Sequence, residues 1–234
     1  MPILPELLRS DATELLDAPI VDHAALADNL RDLAYVDRYL GGTALTWRYL
    51  LPMLRRLPHG ATTTLLDVAT GGADSPRRLA ARAQRHGFEL RPIASDRLIE
   101  VLRFARGVGA DFPLVRHDAL TMPFATGAVD FVTCSLALHH FEADAAVVLL
   151  REMVRVARRG VIVNDLRRSR AAYWGARLLA LGPWHAMARH DGPISVLRAY
   201  TLAEARAIAA RAGLAHALVK ARAPFRLVVV VEHS

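Results

Sequence analysis

Leu65-Leu66-Asp67-Val68-Ala69-Thr70-Gly71-Gly72-Ala73-Asp74-Ser75-Pro76 joins an apolar run to a helical one, and its reading decides the fold. Thr64–Val68 reads as a buried strand. The small residues after it let backbone approach a ligand closely, at the carboxyl edge of a strand where open α/β sheets bind ligands. Pro76 suits a first helical turn, and the helix it opens runs to about His86 before Gly87 ends it. The Gly-x-Gly-x-x-Gly spacing of dinucleotide-binding turns is absent. An acid precedes the small residues instead, which favours a cationic group on the ligand over a pyrophosphate at the turn.

Outward from this turn, short apolar or β-branched runs alternate with helical periodicity, the signature of a mostly parallel sheet. Further strands are expected at Leu90–Ser95, Leu114–His117, Val129–Cys134 and Val161–Asn164, with helices at Asp96–Arg106 and Glu142–Ala157 between them. Beyond Asp165 come an Arg-rich helix carrying Tyr173 and Trp174, then an irregular stretch marked by Gly182-Pro183 and Asp191-Gly192-Pro193. Thr201 caps a helix to Ala212, and Leu214–Lys220 and Phe225–Val231 read as two final strands, the second ending the sheet. The expected fold is α/β: a Rossmann-like, mostly parallel seven-stranded sheet with helices on both faces.

Upstream, apolar residues recur at helical spacing over His23–Leu40 until Gly41-Gly42 stops them, and Thr43 is placed to cap a helix toward Leu57. Residues 1–60 are therefore expected to form an N-terminal helical cover, and 61–234 the ligand-binding domain of one compact unit. Every Trp and Tyr (Tyr35, Tyr39, Trp47, Tyr49, Tyr173, Trp174, Trp184, Tyr200) lies outside Gly60–Asp165. Such rings either wall a substrate site or pack the extra helices onto the sheet.

With 53% hydrophobic residues the chain can bury one sizeable core. A net charge of +7 usually suggests nucleic acid or an anionic membrane, but the basic residues are scattered among acids and form no stripe. Nucleic acid is thus an unlikely partner, a small molecule the expected one, and homodimerisation stays open. Cys134, the lone cysteine, excludes an intrachain disulfide and sits in an apolar run that predicts a buried, inert thiol. Residues Met1–Asp11 show no secretory signal pattern, and charged residues interrupt each apolar run before it reaches spanning length. A cytoplasmic location without a membrane span is expected.

The acid followed by alternating small residues resembles motif I of class I, S-adenosylmethionine-dependent methyltransferases. Its Asp-Val-Ala opening and the acid at Asp74 are similar to the ubiquinone/menaquinone C-methyltransferase branch. The resemblance implies S-adenosylmethionine as cofactor, with Asp67 facing the methionine amino group and Ala69, Thr70, Gly71, Ala73 and Asp74 around it. Two of the usual glycines are alanine here, and the methyl of Ala73 is expected to crowd the cofactor or shift the backbone. Asp96, at the end of the second strand with Arg97 beside it, takes the family's ribose-binding place. It also suits a helix N-cap. Asp118 and Ala119, after the third strand, match the adenine-contacting position, although Asp118 equally suits an Asx turn.

Asp130-Phe131-Val132-Thr133-Cys134-Ser135-Leu136-Ala137-Leu138-His139-His140-Phe141 would end beside the methyl donor, so Ser135, Leu136 and the paired histidines border the reaction centre. Adjacent histidines are poorly spaced for one metal, and no metal is expected. Imidazole is suited to taking a proton from a hydroxyl near neutral pH. Asp165, at the end of the fifth strand, belongs on the same sheet edge. His139 or His140 oriented by Asp165 is therefore the expected general base, with packing under the cover as the alternative for each ring. Methyl transfer to a small, largely apolar or aromatic acceptor follows, with a hydroxyl oxygen as the expected site. Carbon methylation of a quinone-type ring, RNA methylation and non-catalytic nucleotide binding are the rivals.

Overall fold

The structure, a computed structural model, describes residues 7–17 and 22–233. The first residues of the expected cover and of the segment read for a secretory signal lie outside the described residues. After a single 3₁₀ turn at Leu15–Asp17 come α1 (His23–Tyr39) and α2 (Gly42–Leu54). The alternating unit follows as β1 (Thr62–Val68), α3 (Asp74–Arg85), β2 (Glu89–Asp96), α4 (Ile99–Gly107), β3 (Leu114–Arg116) and β4 (Val129–Ser135). It continues through α5 (Ala143–Val156), β5 (Ala157–Leu166), α6 (Arg170–Leu179), α7 (Ala186–Arg198), α8 (Leu202–Arg211), β6 (Leu218–Arg222) and β7 (Arg226–Glu232).

The seven strands form one sheet in the order β3-β2-β1-β4-β5-β7-β6. All neighbours run parallel except β7, which is antiparallel to both β5 and β6. The strand order reverses direction at β1 and β4, which opens a crevice at their carboxyl ends. Alternate residues feed opposite faces of the sheet. Leu66, Val132 and Val163 meet α5 and α8 on one face, whereas Leu65, Phe131 and Ile162 meet Trp47, Leu50 and Leu54 of α2 and Leu79 of α3 on the other. Cys134 is buried among the first set, as expected of an inert thiol, and burial pushes its thiol well up. No helix among the described residues is long and apolar enough to cross a membrane.

Several sequence expectations need correction. The irregular stretch is confined to residues 182–185, because α7 passes through Asp191-Gly192-Pro193. Its turn is secured by tertiary contacts: the buried Asp191 carboxylate accepts from the backbone N–H groups of Leu15 and Leu16. Tertiary packing overrides weak local propensity here. Thr43 does not cap α2. Gly41, at φ 73°, is the cap, and the Thr43 hydroxyl donates instead to Asp37 at 2.8 Å. Asp96 is likewise no N-cap, since Leu98 holds that place in α4. The sheet does not end on β7, whose Leu227–Val231 run is buried and inserted between β5 and the edge strand β6. Finally, α2 is a core layer under the sheet rather than a cover, because its Trp47, Leu50 and Leu54 are 3% exposed or less.

Candidate active site

The turn after β1 holds Ala69, Gly71 and Ala73 at φ 53°, 56° and 56°, so alternate residues adopt the left-handed conformation that favours glycine. Ala73 is 1% exposed. It is buried against Ala94, Ala105 and Ala110, away from the crevice. Asp67 is 2% exposed and lies behind the turn, off the cavity wall. Its carboxylate accepts from the hydroxyls of Thr70 and Thr133, each at 2.7 Å. Burial pushes the Asp67 carboxyl up to about 6 despite those hydrogen bonds. In the structure its carboxylate holds Thr70, which itself reaches the cavity wall.

A cavity of about 760 Å³ occupies the crevice, within the range of small-molecule sites. One end is walled by Ala69, Thr70, Gly71, Asp74, Asp96 and Arg97. Asp96 accepts from the Gly71 N–H at 3.3 Å and the Leu98 N–H at 3.0 Å. An ionised carboxylate offers about four lone-pair sites, so capacity remains for a ligand diol. Burial raises the Asp96 carboxyl above its ordinary value. Asp118 accepts from the Leu120 N–H at 2.8 Å in an Asx turn, and it lines the cavity with Ala119. The Asx-turn reading of that residue is therefore realised, on the cavity wall. Asp74 is paired to Arg77 at 2.6 Å and still reaches the wall.

The cavity's other end is bordered by Ser135, Leu136, His139 and His140 from the β4 exit. His139 is 2% exposed. Its Nδ1 lies 2.7 Å from one oxygen of the buried Asp165, whose other oxygen accepts the His139 backbone N–H at 2.8 Å. Burial alone would push the Asp165 carboxyl up, but His139 and backbone donors outweigh it and hold the group below its ordinary value. An ionised carboxylate only accepts, so His139 Nδ1 carries the proton and Nε2 keeps a free lone pair. His140 pairs through Nδ1 with Asp17 at 2.9 Å, and the two rings lie 4.4 Å apart. Burial opposes charge on His140, yet Asp17 and Glu14 raise its pKa on balance.

Sequence reading missed the acids of the N-terminal segment. Glu14, 3% exposed, places its oxygens 3.6 Å from His139 Nε2 and 3.8 Å from His140 Nε2. Ser195 of α7 donates to Glu14 at 2.8 Å, and Arg198 of α7 donates to Asp17 at 2.6 Å. No motif announces Glu14 or Asp17, because their place depends on a helix that the Gly-Pro signals conceal. Among the aromatic residues, Trp184 lines the cavity and contacts Tyr35 at 5.5 Å between ring centres. Trp47 packs on His86, and Tyr200 donates its hydroxyl to the Phe141 carbonyl.

Buried polar atoms on the cavity wall test whether a polar ligand fits. Ser75 Oγ, His117 Nε2, Ser135 Oγ and Asn29 Oδ1 are all buried without a hydrogen-bond partner. Unpaired buried polar atoms are costly, so their gathering on one cavity fits a ligand rich in polar groups. Carboxylates dominate the same wall, with Asp32, Asp37, Asp74 and Asp96 opposed by Arg97 and Arg226. That surplus fits a cationic ligand such as S-adenosylmethionine, with its sulfonium and ammonium groups.

Residues 65–160 match a family model described as a methyltransferase domain. The chain is 38% identical over 96 residues to a demethylmenaquinone methyltransferase of Mycolicibacterium vanbaalenii, a match spanning 41% of this chain and 38% of that one. It therefore aligns with well under half the length of that curated relative. The fold is similar to a SAM-dependent methyltransferase from Aquifex aeolicus, with TM-score 0.59 and 17% identity over 90% of this chain and 98% of that one. It is also similar to human N-acetylserotonin methyltransferase in complex with SAM, with TM-score 0.64 and 13% identity over 90% of this chain and 56% of that one. At these identities the two structures establish the shared fold.

Proposed function

We propose that this chain, which carries a methyltransferase domain on the class I S-adenosylmethionine-dependent fold, methylates a hydroxyl oxygen of a small, largely apolar or aromatic acceptor. The observation that carries this reading is one continuous cavity with a polar, acidic wall at the β1 turn and the His139–Asp165 pair at its other end. S-adenosylmethionine bound there would supply an electrophilic methyl group for the acceptor oxygen, its sulfur keeping the electron pair of the broken carbon–sulfur bond. Asp96 would accept from the ribose hydroxyls, and Asp118 and Ala119 lie where the adenine is expected. Asp67 keeps Thr70 and the turn in place from behind.

Alignment and exclusion of water are the protein's main contributions to such an in-line displacement. Leu33 and Val36 of α1, Leu40 just after it and Leu179 of α6 give the cavity an apolar side suited to a hydrophobic acceptor body. The free Nε2 of His139 accepts the acceptor's proton, and Asp165 stabilises the resulting imidazolium. Carbon methylation of a quinone ring is the second reading, favoured by the matched demethylmenaquinone methyltransferase segment. Incubation with S-adenosylmethionine and panels of phenols, quinones and RNA, read by mass spectrometry, tests the proposal. An O-methylated phenol is expected. Methylation confined to quinone carbon or to RNA would overturn the hydroxyl assignment.

A further inference from the structure

We propose that the acceptor end of the cavity binds a divalent transition-metal ion of the zinc type, ligated by Glu14 Oε1, His139 Nε2 and His140 Nε2. The three ligand atoms lie within 4.8 Å of one another. A tetrahedral ion at about 2.1 Å from each ligand needs them roughly 3.4 Å apart. Glu14 Oε1 is 3.6 Å from His139 Nε2, and Oε2 of the same carboxylate is 3.8 Å from His140 Nε2, so the carboxylate faces both nitrogens and closing onto an ion draws the three side chains together. Glutamate and imidazole together suit zinc, iron or manganese better than magnesium or calcium. Sequence spacing argues against a metal at adjacent histidines, and the third ligand from a distant segment is what changes that reading.

The surroundings are those of a ligand set. Each imidazole gives its Nδ1 edge to a carboxylate, His139 to Asp165 at 2.7 Å and His140 to Asp17 at 2.9 Å. Metal-bound histidines are oriented in this way, with the outer carboxylate fixing the tautomer that leaves Nε2 free. Glu14 Oε1 is buried and has no hydrogen-bond partner, while Oε2 is held by Ser195. The charges facing the site come from the N-terminal segment (Glu14, Asp17), β5 (Asp165) and α7 (Arg198). Arg198 is spent mainly on Asp17 and the His140 carbonyl, and stands 3.8 Å from Glu14 Oε1. Arg9, which donates to the His139 carbonyl, is paired with Glu142, so with neutral imidazoles the three carboxylates face the one remaining guanidinium of Arg198, and a divalent ion would balance them.

Three protein ligands leave an open position, the pattern of catalytic sites, and here it faces the acceptor chamber. The inference rests on the proposed function for its use: the ion would make an acceptor hydroxyl held on it more acidic, with His139 Nε2 a ligand in the ion-loaded protein and the base in the ion-free one. To test binding apart from activity, untagged full-length protein stripped with chelator is titrated with Zn²⁺ by calorimetry and with Co²⁺ by visible absorption. S-adenosylhomocysteine binding is measured on the same samples as a check of folding. One ion per chain is expected, weakened at least tenfold by Glu14→Gln and by His140→Ala, and about 10–100-fold by Asp165→Asn. Absence of stoichiometric binding, or binding unchanged in both ligand variants, overturns the site. If S-adenosylhomocysteine binds but the ion does not, the metal fails and the methyl-transfer reading stands. If the ion binds but neither S-adenosylhomocysteine nor S-adenosylmethionine does, the reverse holds.

Discussion

Asp165 accepts two hydrogen bonds from His139, one from ring Nδ1 at 2.7 Å and one from the backbone N–H at 2.8 Å. The ring is thereby fixed in tautomer and in position, with Nε2 as its only available lone pair. Replacing His139 by Ala is expected to lower turnover on a hydroxyl acceptor by about 10²–10⁴-fold, the usual scale of proton-transfer assistance. Affinity for S-adenosylmethionine should stay nearly constant, because the ring follows β4 whereas Asp96 ends β2, with β1 between the two strands. Asp165→Asn should lose most of the same activity. Near wild-type turnover in both variants would leave alignment alone to carry catalysis.

Asp96 uses part of its acceptor capacity on the Gly71 and Leu98 N–H groups and offers the remainder to the cavity. Asp96→Ala is expected to weaken S-adenosylmethionine binding at least about tenfold through lost charge-assisted hydrogen bonds. Asp67→Ala should also weaken it, but indirectly, by releasing Thr70 from its 2.7 Å bond. Thr70→Val therefore reproduces part of the Asp67 effect. Calorimetric dissociation constants check all three, and equal affinity in Asp96→Ala would refute the ribose assignment.

Burial pushes the Asp67 carboxyl up to about 6 in the folded chain, from an ordinary 3.8. The folded state thus holds the proton more tightly than the unfolded state. The stability from this group is fully present below about pH 4 and is lost as pH rises through 6, up to ~3 kcal/mol across the window. Melting of the ligand-free protein should accordingly show a loss of stability between about pH 4 and 6 that Asp67→Asn removes. A cationic ligand nearby favours the ionised form, so S-adenosylmethionine should bind more weakly as pH falls below 6. Identical pH profiles for wild type and Asp67→Asn would contradict both expectations.

The sheet and the turn were legible because their signals are local: apolar runs, small residues and acids at strand ends all lie within a few positions. The fate of Ala73 was not legible, since which way its methyl points depends on α4 and β2 packing over it. The same limit hid α7. Asp191-Gly192-Pro193 is a loop signal on its own, and only the contacts of Asp191 with Leu15 and Leu16 make it a helix that buries an acid. His139, His140 and Asp165 were found by sheet logic, whereas Glu14 and Asp17 reach them from a segment without any motif.

Ala69 and Ala73 both sit at positive φ, yet their environments differ. Ala69→Gly relieves left-handed strain and should raise stability by about 0.5–1 kcal/mol, since that strain exceeds the entropic cost of glycine. Ala73→Gly loses a methyl packed among Ala94, Ala105 and Ala110, so relief and loss should nearly cancel. Thermal melts of the two variants check this. A destabilised Ala69→Gly would mean that its methyl carries packing the strain argument omits.

Trp184 and Tyr35 meet at 5.5 Å between ring centres, joining the segment before α7 to α1 across the cavity. The proposed cover is therefore α1, α6 and α7, without α2, whose Trp47 and Leu50 are sealed beneath the sheet. Gly182-Pro183 stands between α6 and α7 and can serve as a hinge, while Asp191, Ser195 and Arg198 tie α7 to the N-terminal segment. Entry of an apolar acceptor requires this cover to part, and bound cofactor should order it. Hydrogen exchange is expected to be faster in α1, α6 and α7 than in α2 and α5 without ligand, and to slow in the first group when S-adenosylhomocysteine is added. Trp184→Ala should speed exchange in the same helices and raise KM for the acceptor more than it lowers kcat. If α1, α6 and α7 are as protected as α2 in the ligand-free protein, acceptors reach His139 without opening, and the Trp184–Tyr35 contact is structural packing alone.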